Sequence, residues 1–238
     1  VLLDVDIGHR RTGVPPGKAL DLAGRLLSSN RFRLRGIQAY AGHVQHIPRY
    51  EDRRAASREG LRQAAAVFKQ LQARDQACTI FSASGTGTAT IDLAVPELTE
   101  LQAGSYALMD AEYLAIESTD GSDTPDYHPA LTMLTTVVSG PHGRQVTVDA
   151  GLKAFYRDGG RPRVLNPEYA KLQYDWFGDE YGKLTAPDRV ALLPAHGTVL
   201  EMVVSHCDPT VNLFDGYYIA RGGKVVDVWP IDLRGRCQ

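Results

Sequence analysis

The stretch Val1-Leu2-Leu3-Asp4-Val5-Asp6-Ile7 decides the fold. It is an apolar, β-branched run that reads as a buried strand of a parallel sheet. The chain starts inside this strand, with no methionine and no lead-in, so the expectation is a preceding part that is not represented here. A loop follows, Gly8-His9-Arg10-Arg11-Thr12-Gly13, and Ala19 to Leu27 then reads as a helix with Leu20, Ala23 and Leu27 on one face. The alternation continues. A second strand spans Leu34 to Tyr40, and a long helix from about Arg49 to Arg74 repeats Leu61, Ala64, Ala65, Phe68 and Leu71 at helical spacing. A third strand spans Cys78 to Ala83 and a fourth Leu98 to Gln102. Strands separated by helical crossovers imply a parallel sheet with right-handed connections. Four such units make half of a (β/α)8 barrel, which takes about 250 residues when complete.

Beyond about Thr132 the texture changes to an antiparallel β region. Leu131 to Ser139 and Gln145 to Asp149 suggest a hairpin around Gly140-Pro141-His142-Gly143. Further strands are suggested at Val190 to Leu193, Thr198 to Val204, Tyr217 to Ala220 and Lys224 to Val228, while Ser118 to Asp126 reads as an exposed loop. The expected fold is therefore α/β: a partial barrel over 1–130 followed by a β domain over 131–238.

The 238 residues are 43% hydrophobic and 23% charged with a net charge of −2, so no strong field draws nucleic acid or an anionic membrane. Small-molecule chemistry is the better expectation. Cys78, Cys207 and Cys237 are odd in number and lack C-x-x-C spacing, which argues against a disulfide framework and fits a reducing cytoplasm. No run approaches the roughly 18 apolar residues of a membrane span, and no signal peptide is visible.

In a barrel the chemistry sits in loops at the carboxyl ends of the strands. Ser82-Ala83-Ser84-Gly85-Thr86-Gly87-Thr88 and Gln102-Ala103-Gly104-Ser105-Tyr106 are such loops, with small residues whose backbone can approach a phosphate. Their spacing is neither a Walker loop nor a dinucleotide fingerprint, and a plain glycine turn is the competing reading. Arg11, Gln38 and Tyr40 add a cation, an amide and an aromatic face, against the alternatives of an exposed arginine and a core tyrosine. Near the C-terminus, His206 and Asp208 stand two apart in Ser205-His206-Cys207-Asp208-Pro209-Thr210, on one side if the segment is extended. Imidazole plus carboxylate suits Zn, Mn or Fe, and a hydrogen-bonded His and Asp is the bland alternative.

Asp6-Ile7-Gly8-His9-Arg10-Arg11-Thr12-Gly13-Val14, Ser84-Gly85-Thr86-Gly87-Thr88, Gln102-Ala103-Gly104-Ser105-Tyr106 with Asp110, Val148-Asp149-Ala150-Gly151-Leu152-Lys153, and His206-Cys207-Asp208-Pro209-Thr210 occur in a telling order. The chain resembles the D-threonine aldolase and D-serine dehydratase family, whose fold is that of the alanine racemase group. The resemblance spans nearly the whole chain and makes its strands equivalent to barrel strands five to eight. It implies pyridoxal 5'-phosphate as cofactor and a divalent metal, Mn with Mg or Zn as alternatives. Arg11 matches the arginine near the cofactor's phenolic oxygen, Tyr40 a ring packing on the pyridine, and Gln102 a side chain near the pyridine nitrogen. Thr86, Gly87, Thr88, Gly104 and Ser105 match the phosphate loops, and His206 and Asp208 the metal ligands.

The implied activity is cleavage of a β-hydroxy-D-amino acid, D-threonine or 3-hydroxyaspartate, to glycine and an aldehyde, by a homodimer in the cytoplasm. Relatives that dehydrate D-serine or 3-hydroxyaspartate tend to carry cysteine where Asp208 stands, so Asp208 favours the aldolase. Cys207 ranks below it as a ligand. Two departures stand out. The family's Schiff-base lysine belongs to an early strand absent from this chain, and Lys18, Lys69, Lys153, Lys171, Lys183 and Lys224 do not stand in its motif. Gly178-Asp179-Glu180-Tyr181-Gly182 has tyrosine where many relatives have histidine. An inactive remnant serving as a binding module is the reading from another class.

Overall fold

Four short strands pair in parallel and in sequence order: β1 (Leu2–Asp4), β2 (Gly36–Ala39), β3 (Ile80–Ala83) and β4 (Glu100–Leu101). The computed structural model describes residues 1–122 and 125–236, and the chain divides into two units. This sheet belongs to the first unit, Val1–Tyr106 with Ala115–Asp126. Helices α1 (Pro16–Leu27), α2 (Tyr50–Arg74) and the four-residue α3 (Ala89–Asp92) supply its crossovers. Helix α2 forms where expected. Leu61, Ala64, Phe68 and Leu71 share a face and are buried with Leu3, Val5, Ile37 and Phe81 of the sheet region. Phe68 meets Phe81 at 5.5 Å between ring centroids. The outer face carries the pairs Arg54 with Glu51 and Arg62 with Glu59 at i,i+3 spacing. The strands are shorter than expected, and β4 keeps only two paired residues.

The second unit comprises Ala107–Leu114 and Tyr127–Gln238. Its main sheet has six strands in the order β7-β10-β5-β6-β9-β8. They are β5 (Thr132–His142), β6 (Gln145–Val148), β7 (Arg163–Val164), β8 (Gln173–Trp176), β9 (Gly182–Thr185) and β10 (Val199–Val203). All of these pairs are antiparallel. Val137, Val146, Val148, Phe155, Tyr174, Leu184, Leu200 and Met202 fill its core. Helix α4 (Cys207–Val211) follows β10, and β11 (Gly216–Arg221) with β12 (Lys224–Pro230) make a separate two-stranded ribbon.

Two expectations need correction. Gly140-Pro141-His142 lies within β5 rather than at the hairpin tip, because irregularities between Val137 and Ser139 and between Ser139 and His142 absorb it. Val190 to Leu193 is no strand: Asp188 accepts hydrogen bonds from the Val190 and Ala191 N–H groups and curls the segment into a turn. Strands β7, β8 and β9 were not anticipated. The expected loop at Ser118 to Asp126 includes Asp123 and Thr124, which lie outside the described residues, as does Cys237. Cys78 and Cys207 are free thiols. No helix among the described residues is long and apolar enough to cross a membrane.

Candidate active site

In the first unit, the carboxyl ends of β1, β2 and β4 open onto a polar cavity lined by Asp4, Asp6, His9, Arg11, Thr12, Gln38, Tyr40 and Gln102, together with Val5. Four residues chosen from sequence therefore meet in one place: Arg11, Gln38, Tyr40 and Gln102. The Arg11 guanidinium lies 5.2 Å from the Tyr40 ring centroid. Gln102 is oriented by donating from Nε2 to Ser82 Oγ at 3.0 Å. Asp6 shapes the first loop, its Oδ1 accepting from the N–H groups of Gly8 and Arg10, both at 2.9 Å. The same bonds, led by Arg10, hold its carboxyl below the usual range. His9 stacks on His43 at 5.9 Å, and burial, followed by the electrostatic effect of His9, pushes His43 down. Among the described residues no lysine lines this cavity.

The glycine loop after β3 is built around Gln45. The Gly87 N–H donates to Gln45 Oε1 at 3.0 Å, and Gln45 Nε2 donates to Thr88 Oγ1 at 3.1 Å and to the Ala41 carbonyl at 3.2 Å. A Cβ on Gly87 would stand 2.0 Å from the Gln45 carbonyl oxygen. Thr88 N–H is taken by the Gly85 carbonyl at 3.2 Å, so Gly87 and Thr88 hold the loop's shape with their own donors. Thr86 faces the fourth loop, its Oγ1 accepting from the Tyr106 N–H at 3.0 Å, which brings it beside Gly104 and Ser105. At Gly104 a Cβ would meet nothing within 4 Å. Gln45 was missed by sequence reasoning because a glutamine following Gly42-His43-Val44 carries no signal of burial.

Behind the loop lies Asp92, 1% exposed, accepting from Ser57 Oγ at 2.6 Å. Its Oδ2 has no hydrogen-bond partner among the described residues. Burial pushes this carboxyl up, against smaller lowering by the hydroxyls of Ser57, Thr88 and Ser84 and by the charge of Arg58. A carboxyl whose folded value exceeds its unfolded one binds more protons in the folded state, so its contribution to stability falls as pH rises through that value. Asp92→Asn removes the ionisation and keeps the acceptor. Thermal melts should place the variant about 2–4 °C above the native protein at pH 8, with the gap closing towards pH 4. A gap that widens on acidification would contradict the assignment.

In the second unit His206 and Asp208 come together by a route other than the expected one. His206 is extended (φ −142°, ψ 122°), but Asp208 sits in α4, so the alternation of a strand does not align them. The helical turn does: His206 Nε2 and Asp208 Oδ2 are 3.4 Å apart. The other ring nitrogen, Nδ1, is 3.1 Å from Asp158 Oδ2. Asp158, remote in sequence, fixes the ring and leaves Nε2 facing Asp208, the usual support for a metal-binding imidazole. The Asp208 contact, then Asp158, raises His206 to about 9. Cys207 is buried, and its Sγ lies 3.4 Å from Asp208 Oδ2. Its N–H donates at 3.0 Å to Oδ2 of Asp110, which is itself fully buried. Asp110 Oδ1 accepts from Glu112 N–H at 3.1 Å and Tyr113 N–H at 3.0 Å. Among the described residues no set of three or more His, Cys, Asp or Glu side chains converges as a metal cage. One imidazole nitrogen and one carboxylate face each other, a donor set that suits a divalent cation completed by other oxygen ligands.

Two family descriptions match the chain: "Alanine racemase, N-terminal domain" over residues 1–112 and "Putative serine dehydratase domain" over residues 130–220. It is 39% identical to a D-threonine aldolase of Arthrobacter sp. over 236 residues, covering 99% of this chain and 61% of that protein. It is 35% identical to a 3-hydroxy-D-aspartate aldolase of Paracoccus denitrificans over 239 residues, 99% of this chain and 60% of that protein. The crystal structure of D-threonine aldolase from Filomicrobium marinum superposes with a TM-score of 0.90 at 32% identity, covering 100% of this chain and 63% of that one. A parallel α/β unit followed by an antiparallel β unit, with this superposition, makes the chain alanine racemase-like. Within that class it belongs to the D-threonine aldolase and D-serine dehydratase family. The chain spans about three-fifths of the length of these curated relatives.

Proposed function

We propose that the full-length protein is a pyridoxal 5'-phosphate-dependent, divalent-metal-dependent aldolase that cleaves β-hydroxy-D-amino acids, D-threonine or 3-hydroxyaspartate, to glycine and an aldehyde. The observation that carries the reading is the facing pair His206 and Asp208, a carboxylate rather than a thiolate beside the imidazole, in a chain 39% identical to a D-threonine aldolase. The polar cavity with an aromatic wall and the open space at Gly104 fit a flat, anionic cofactor. Bound there, pyridoxal phosphate supplies a conjugated ring that accepts electrons, and the cation supplies a Lewis acid for the β-hydroxyl. Arg11 stabilises negative charge at the phenolic oxygen, and Tyr40 presents an apolar face to the ring. Gln102, a neutral amide, leaves the pyridine nitrogen without the carboxylate that would protonate it. Thr86 and the Gly104–Ser105 backbone take the phosphate. Asp158 orients His206, and His206 with Asp208 hold the metal, Mn in our reading with Mg or Zn as alternatives. The protein would work as a cytoplasmic homodimer, and none of the lysines named above is proposed as the Schiff-base residue.

The test is glycine release by the full-length protein from D-threonine and D-3-hydroxyaspartate, with and without Mn²⁺ after chelation. Chelation and Asp208→Ala should each lower glycine formation about 100-fold or more, and Mn²⁺ should restore only the native protein. Ammonia and a keto acid without glycine would replace this reading by the dehydratase one, which the serine dehydratase match over residues 130–220 keeps as the alternative.

A further inference from the structure

Arg53 is the largest fully buried side chain among the described residues, 1% exposed, on the face of α2 that turns towards the glycine loop. Its Nε donates to the Gly87 carbonyl at 2.8 Å, one terminal nitrogen to the Ile47 and Pro48 carbonyls at 2.6 and 3.1 Å, and the other to the Glu117 carbonyl at 2.6 Å. All four acceptors are backbone oxygens. Its hydrogen bonds are satisfied and its guanidinium lies 5.7 Å from the Tyr50 ring centroid, but among the described residues no carboxylate pairs with it. The side chains of Asp126 and Glu117 act on it only at longer range, Asp126 being bonded to Thr119 and Glu117 to the Tyr50 N–H. An arginine stays charged in a protein, and a buried charge without a counter-ion is costly. Conservation of structure alone would be served more cheaply by a neutral donor. A second fact gives the charge a direction. Gly87 is clamped at both backbone groups, its N–H by Gln45 and its carbonyl by Arg53, and Ser84-Gly85-Thr86-Gly87-Thr88 contains no cation of its own.

We propose that Arg53 is a positioning residue for the cofactor's phosphate, fixing the glycine loop through Gly87 and supplying from behind it the positive charge that the loop lacks. The inference rests on the cofactor reading given above. It separates two roles that a merely structural arginine would not: the planar fork sets the loop, and the charge favours a dianion over a neutral group in the same place.

The experiment compares binding of pyridoxal 5'-phosphate and of pyridoxal, which lacks the phosphate, to full-length apoprotein by fluorescence titration. The ratio of the pyridoxal dissociation constant to that of pyridoxal 5'-phosphate isolates the phosphate's contribution. Arg53→Gln should lower that ratio at least tenfold and change pyridoxal binding about twofold or less, whereas Arg53→Lys, which keeps the charge and loses the fork, should lower it less than threefold. An unchanged ratio in Arg53→Gln, or an equal loss in both variants, overturns the proposal. Should Arg53→Gln not fold, Glu117→Gln carries the test by removing a carboxylate that opposes the same charge. The ratio should then rise about twofold, and a ratio that stays level or falls overturns the proposal. A native protein that binds both compounds equally removes the cofactor reading itself and this inference with it, an outcome distinct from a native preference that survives in Arg53→Gln.

Discussion

Replacing Gly87 by alanine in the full-length protein should destabilise it by about 3 kcal/mol and weaken pyridoxal phosphate at least tenfold. The added methyl would lie 2.0 Å from the Gln45 carbonyl oxygen and 2.9 Å from its carbonyl carbon. These are backbone atoms, so no rotamer change relieves the clash, and the loop or the Gly42–Val44 turn before Gln45 must move. Either movement breaks the Gly87 N–H bond to Gln45 Oε1 or the Arg53 bond to the Gly87 carbonyl. Scanning calorimetry should register a fall of roughly 6 °C or more. Gly104→Ala is the matched control, since its methyl meets no protein atom within 4 Å. It should melt within about 0.5 kcal/mol of the native protein while weakening pyridoxal phosphate, because that space is where we expect the phosphate. Native-like melting in Gly87→Ala would refute the packing argument, and unchanged cofactor binding in Gly104→Ala would refute the placement.

Asp110→Ala should cost about 3–5 kcal/mol, since it orphans the buried N–H groups of Tyr113 and Cys207 and the half-buried one of Glu112 at once, a buried group being worth roughly 1–3 kcal/mol when left unpaired. Its functional effect follows from where Cys207 stands, between the two proposed ligands. Losing the anchor frees the start of α4, and with it the 3.4 Å approach of His206 to Asp208. Mn²⁺ affinity of the full-length protein, measured by calorimetric titration, should fall about tenfold or more. Asp110→Asn should lie between, because an amide oxygen accepts on one side while its NH₂ opposes an N–H donor on the other. Equal Mn²⁺ affinity in Asp110→Ala and native protein, despite a lowered melting point, would show that the ligand pair is positioned without this carboxylate.

The sequence made α2 legible because Leu61, Ala64, Ala65, Phe68 and Leu71 repeat at helical spacing within its 25 residues. The same periodicity hid Arg53, since a charged residue on an amphipathic helix reads as solvent-facing until the loops packed above it are known. Strands β8 and β9 were illegible: Gln173–Trp176 buries one residue fully and gives too short an alternation to register. Val190 to Leu193 misled for the opposite reason, an apolar run in which Val190 stays 86% exposed. At the site, cavity residues near strand ends could be chosen from loop chemistry. Asp158 could not, because it meets His206 across 48 positions of chain and no local pattern announces the meeting.

The chain's path between the two units bears on how the molecule can be dissected. It leaves the first unit after Tyr106, contributes Ala107–Leu114 to the second, returns for Ala115–Asp126, and only then commits to the rest. A single cut therefore cannot yield two self-sufficient pieces. A fragment starting after Asp126 would carry His206 and Asp208 but lose the carboxylate that anchors the turn between them, and one ending at Tyr106 would lose the Glu117 carbonyl that receives Arg53. Chimeras exchanging the β unit between relatives should consequently transplant Ala107–Leu114 along with it.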